Sequence, residues 1–229
     1  MTKKSHPATA RPWSGSGEPP GSAAVVRSLI HIPIIHTQAD MGALSQAIKK
    51  VTIQKLGQEG WDRNVYLIEE IWTKIEEVIA SWSLPFEKVR LYQDGLPVCG
   101  KEVEIVTELA KAGSRNHRLL LRLREQGAML MGTESAELLV QEYKLVKEVL
   151  AAGNSRRAAQ LEARSQAVSQ ALLKRRDQAV AERINHTLRM GETGLLFLGM
   201  LHSTSPWLAK DIQVTYPIFP PLDPNARKV

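Results

Sequence analysis

The chain has 229 residues, 43% of them hydrophobic and 24% charged, with a net charge of +6 and a sequence pI of about 9.5. One domain is the default at this length, with enough chain to bury a substantial core. The lone cysteine, Cys99, excludes an internal disulfide and fits a reducing, cytoplasmic setting. No apolar run approaches the ~18 residues of a membrane span, and Arg27 and His31 interrupt the nearest signal-peptide-like segment.

Residues 1–24 are rich in Pro, Gly and Ser and have little to bury, so they read as a flexible arm before a single α/β domain over 25–216. The first strand is centred on Ile30 to Ile35 and ends at His36. It is apolar almost throughout, as a strand covered on both faces would be. Helices follow at 43–56 and 61–82, the second burying Val65, Ile68, Ile71, Trp72, Ile75 and Ile79. A short strand at 88–93 runs into the turn Asp94-Gly95-Leu96-Pro97, where the aspartate reads first as a turn residue. Helices at 101–112 and 115–126 are separated by Gly113-Ser114, with Ser114 as a cap. Cys99, just before them, reads as a small apolar packer.

A third strand, Ala128 to Met131, ends at Gly132-Thr133-Glu134, and a helix runs from 136 to 150. Gly153-Asn154-Ser155 breaks the chain before a long helix to Met190. On it Leu173, Val180, Ile184 and Leu188 share one face. Asp177 sits roughly 25° from the centre of that stripe at 100° per residue, and Arg176 on its edge. A carboxylate in that position must be paired or wet. The strand Leu195 to Leu198 then runs through Gly199 to His202, where glycine lets another group approach closely. An alternating edge strand at 211–216 and a Pro-rich tail at 217–229 close the chain.

Strands separated by helical crossovers predict a mostly parallel sheet of about five strands with helices on both faces. Parallel strands deliver their carboxyl ends to one rim, where ligands of such sheets bind. His36, Gln93-Asp94, Thr133-Glu134 and His202 all fall at strand ends, so they are expected to converge. Glu134 serves equally well as a helix-start carboxylate or in chemistry. His31, His117 and His186 read as structural. The basic residues of the long helix are spread around it without aromatic neighbours, which favours a solvated face over a nucleic-acid contact. Phosphate-loop, dinucleotide, nucleophile-elbow and His-Glu-x-x-His motifs are all missing.

The closing Gly199-Met200-Leu201-His202, the Arg176-Asp177 pair followed by Ala179 to Ile184, and Gly132-Thr133-Glu134 with Leu138, Leu139 and Gln141 together resemble the TraB/Tiki-type family. That family belongs with the ChaN and erythromycin-esterase-like proteins. Pro33 stands where its first motif has glycine before the histidine. The resemblance implies one site built from His36, Glu134, Arg176 and His202. Members of this group include metal-dependent peptidases and proteins acting on esters or haem-related ligands. It therefore implies a metal-assisted hydrolase-like domain acting on a small-molecule or peptide substrate. A divalent Mn, Co or Zn ion held by His36, Glu134 and His202 would activate water and polarise a carbonyl. Arg176 would stabilise developing negative charge, and Asp177 would orient it or a histidine. A metal-free alternative makes His202 a general base with Glu134 holding its tautomer. A non-catalytic binding or scaffold protein of the same fold is the remaining alternative.

Overall fold

A computed structural model describes residues 26–152 and 156–218, and side chains over 26–151 and 165–218. The expected arm, the Gly153 break and the tail beyond residue 218 lie outside the described residues. Five strands are present: β1 (Arg27–Ile34), β2 (Val89–Gln93), β3 (Met129–Met131), β4 (Thr193–Gly199) and β5 (Ile212–Thr215). They form one open sheet in the order β3-β2-β4-β1-β5, and every pair is parallel. The helices are α1 (Ser45–Ala80), α2 (Glu102–Lys111), α3 (Arg115–Glu125), α4 (Ala136–Ala152) and α5 (Arg156–Thr187).

Alternation along the strands divides the core into two layers, because successive side chains point to opposite faces. On β4, Leu195 and Phe197 join Ile32, Ile34, Val89 and Leu91 on the face covered by Trp72 and Ile75 of α1 and Leu120 and Leu123 of α3. Leu196 and Leu198 face the other way, with Leu29 and Tyr92, against Val180, Ile184 and Leu188 of α5. Phe197, Leu195, Leu196 and Ile184 have no exposed surface. Each such side chain contributes on the order of 1.5–3 kcal/mol.

The chain steps outward from β1 to β2 to β3 with α1, α2 and α3 on one face. It then returns to β4, in the middle, with α5 on the other. The carboxyl ends of β1, β4 and β2 are therefore neighbours at the point where the winding reverses, which is where open parallel sheets bind ligands.

Local features differ from the sequence reading, among them the course of α1 and the setting of Cys99. The helices expected at 43–56 and 61–82 form one element, α1, bent at Gly57, whose φ of 75° and ψ of 172° break the helical path. Cys99 is exposed in the turn before α2 rather than packed, because that turn is closed by its N–H donating to Glu102 Oε1 at 2.9 Å. Among the described residues no helix is long and apolar enough to cross a membrane.

Candidate functional site

The site gathers around Asp94, the residue after β2. One of its oxygens, Oδ1, accepts from Arg176 Nη2 at 2.8 Å. The other, Oδ2, accepts from the Gly199 N–H at 2.9 Å and from His36 Nε2 at 3.2 Å. His202 Nε2 stands 3.6 Å from the same oxygen. Gly199 is required by this packing, since a Cβ there would lie 2.9 Å from Asp94 Oδ2. The backbone joins the rim as well, the Asp94 N–H donating to Phe197 O at 2.8 Å.

Arg176 comes from the middle of α5, one helical step before Asp177, and its side chain is only 5% exposed. All of its donors are engaged. Nε and Nη2 bond the two oxygens of Glu134, Nη2 also bonds Asp94, and Nη1 bonds both oxygens of Glu142. Glu134 in turn accepts the Gly95 N–H at 3.0 Å. One guanidinium therefore balances three carboxylates, two of them buried. Planar donor forks suit such bidentate pairing.

Asp177 points the other way and holds His202. Its Oδ1 accepts from His202 Nδ1 at 2.6 Å, and its Oδ2 from the Ser203 N–H at 3.0 Å. A carboxylate on Nδ1 fixes the tautomer in which Nδ1 carries the proton and Nε2 the lone pair. Nε2 faces Asp94 and the open cleft. The tautomer-holding role expected for Glu134 thus belongs to Asp177, because Glu134 is spent on Arg176.

These contacts set the protonation pattern. Burial lowers the His202 pKa, but the hydrogen bond to Asp177 and the charge of Asp94 outweigh it, and the net shift is upward. His36 is likewise raised: burial opposes, while the bond to Asp94 and the charges of Asp94 and Asp40 dominate. For Asp94 burial pushes upward, yet the His36 bond and the charges of His36, His202 and Arg176 hold it far below the carboxylate range. Burial prevails at Glu134, whose pKa is raised despite Arg176. Two basic histidines beside one firmly ionised carboxylate are an acid–base arrangement.

The cluster opens into a cleft of 570 Å³. Its floor carries His36, Asp94, Glu142, Arg176 and His202, and its walls include Leu44, Leu139, Tyr143, Val146, Leu173 and Leu201. Leu201 and Met200 are 85% and 63% exposed at its mouth.

The structure therefore brings together His36, Glu134, Arg176, Asp177 and His202, the residues the sequence singled out. It adds Asp94, which the sequence reading left to turn duty, and Glu142, which that reading did not single out. The signal for Asp94 was its place at a strand end. For Glu142 there was none beyond its helical position opposite α5. Asp94, Glu134 and His202 are the one group of three ligand atoms within 4.8 Å of one another among the described residues, and His36 is not part of it. As a metal site the group fits poorly, because Arg176 already bonds both Glu134 oxygens and one of Asp94.

The histidines read as structural stay outside. His31 is buried against Tyr216, ring centroids 5.1 Å apart, and is lowered to about 4 by burial and then by the His202 charge. His117 bonds Ser114 Oγ at the α3 cap, with Asp40 behind it. His186 is exposed and bonds the Glu182 carbonyl. Comparison with protein-family models, with curated proteins and with solved structures finds no match to this chain.

Proposed function

We propose that the protein is a hydrolase of acyl bonds, esters first, that works by histidine acid–base chemistry at the carboxyl rim of the sheet. The observation that carries this reading is the Asp177–His202 pair, 2.6 Å apart, with Nε2 turned toward Asp94 at the edge of the cleft. In this scheme His202 Nε2 takes a proton from water, and the oxygen attacks the carbonyl carbon. The proton then passes from His202 to the leaving alkoxide or amine as the acyl bond breaks. His36, held as an imidazolium by Asp94, presents positive charge toward the carbonyl oxygen as it becomes anionic. Arg176 takes the positioning role, since its donors are all used within the cluster. This metal-free scheme keeps the resemblance to the TraB/Tiki-type and erythromycin-esterase-like proteins on its ester-acting side.

A metal-assisted version, with Mn, Co or Zn on Asp94, Glu134 and His202, is the second reading, favoured by their 4.8 Å grouping. It requires Arg176 to release Glu134. The two separate in one assay of p-nitrophenyl ester turnover, with chelator and with each metal added. Expected is turnover that survives chelation and falls about 10²–10⁴-fold in His202→Ala. Turnover that depends on added metal supports the second reading. Turnover no greater than in His202→Ala overturns both and leaves a non-catalytic binding protein.

A further inference from the structure

A second cavity, of 320 Å³, is lined by His36 and by residues from both arms of α1. His36, Met41 and Ile48 line both this cavity and the cleft, so the two spaces are neighbours. The arm before Gly57 contributes Ile48 and Thr52, and the arm after it contributes Trp61, Val65 and Ile68. The bend that opens the space depends on the left-handed φ of Gly57.

The lining explains an oddity of α1. Val65, expected on the buried stripe, is 40% exposed while Trp72 and Ile75 on the same helix have no exposed surface. It faces the cavity instead of the sheet. The apolar lining is contributed by Met41, Ile48, Trp61, Val65 and Ile68. Among the described residues no lysine or arginine lines the cavity, and the one carboxylate that does is Glu69. The one lining group able to carry positive charge is His36, which is already paired with Asp94.

We infer that this cavity is the subsite for the apolar acyl or aryl group of the substrate, which would place the scissile carbonyl between His36 and His202. The inference rests on the hydrolase reading for the reaction, but the cavity's ligand preference stands separately. A cavity of about 150 Å³ accepts benzene. One of 320 Å³ suits an uncharged group of roughly twice that size, a bicyclic aromatic or a medium-length alkyl chain. Methionine and tryptophan in the lining allow it to adapt to either. Asn64, Thr52 and Ser45 add polar groups to the lining.

The test is equilibrium binding of the neutral bicyclic probe N-phenyl-1-naphthylamine to the full chain, read by fluorescence. Expected is saturable binding at one probe per chain, at least tenfold weaker in Val65→Trp, which fills the space from its exposed side. Asn64→Phe gives the same reading should Val65→Trp fail to fold. His202→Ala is expected to bind the probe as the unaltered chain does. Absence of saturable binding, or equal affinity in both filled variants, overturns the subsite. Ester turnover is scored in parallel. Probe binding without turnover in any variant sinks the hydrolase reading and keeps the apolar site. Turnover indifferent to acyl length from acetyl to decanoyl sinks the subsite and keeps the hydrolase.

Discussion

The two rims of the same sheet use the same residue types to opposite ends. At the amino rim, Arg27 forms a closed two-bond pair with Asp211, and Arg90 one with Glu192. Each arginine has its own carboxylate. Arg27 also caps the carbonyls of Asn185 and Leu188 at the end of α5, as a cation at a helix C-terminus does. At the carboxyl rim a single arginine serves Asp94, Glu134 and Glu142, and the surplus negative charge falls on two histidines. Matched charges hold loops. Unmatched charges hold protons, and they do so beside a cleft.

The sharpest way to break this contrast is to remove the shared arginine. Arg176→Met strands two buried carboxylates, and breaking such a network costs about 3–5 kcal/mol. The equivalent change at the amino rim, Arg27→Met, is expected to cost much less, because Asp211 is 51% exposed and can be hydrated. Urea denaturation of the two variants measures the difference. Near-equal losses would mean that the carboxyl-rim cluster is ordinary surface pairing.

Next in size is the catalytic effect of Asp177→Asn, which lets the His202 ring take the wrong tautomer. Ester turnover is expected to fall by about 10²–10⁴-fold, with a midpoint of unfolding close to that of the unaltered chain. Gly199→Ala follows, with its Cβ driven against Asp94 Oδ2. A loss of about 1–3 kcal/mol in urea unfolding is expected, along with weaker turnover. The smallest effect is the pH dependence of stability. His36 and His202 are raised in the fold, so their contribution is full below about pH 6.5 and lost as pH climbs through the folded values. His31 runs the other way. Held neutral down to about 4, it stabilises fully above about pH 6.5 and ceases to do so as pH falls through about 4. Urea midpoints between pH 4 and 9 are expected to lose the alkaline decline in His36→Gln/His202→Gln and the acid decline in His31→Gln.

Much of this architecture was legible in the sequence because it follows from periodicity. The alternation of Leu195, Leu196, Phe197 and Leu198 across two covered faces, and the stripe of Val180, Ile184 and Leu188, leave few other ways to bury the chain. Parallel strands then place His36, Glu134 and His202 on one rim. Pairing within the rim was not legible. Asp94 bonds Gly199 and Arg176 at separations of 105 and 82 residues, and an Asp-Gly step has a sufficient local explanation in its turn. Which carboxylate serves the histidine and which the arginine depends on the rotation of α5 against the sheet. Adjacent helix positions lie about 100° apart, so that rotation sets Arg176 toward Glu134 and Asp177 toward His202.

The most direct measurement is a titration of His202 by nuclear magnetic resonance, assigned by its loss in His202→Ala. Expected is an apparent pKa above the ordinary histidine value, with the neutral ring carrying its proton on Nδ1, and a fall in that pKa in Asp177→Asn. A His202 that titrates at or below the ordinary value, or whose neutral ring carries its proton on Nε2, would contradict the acid–base role given to this rim.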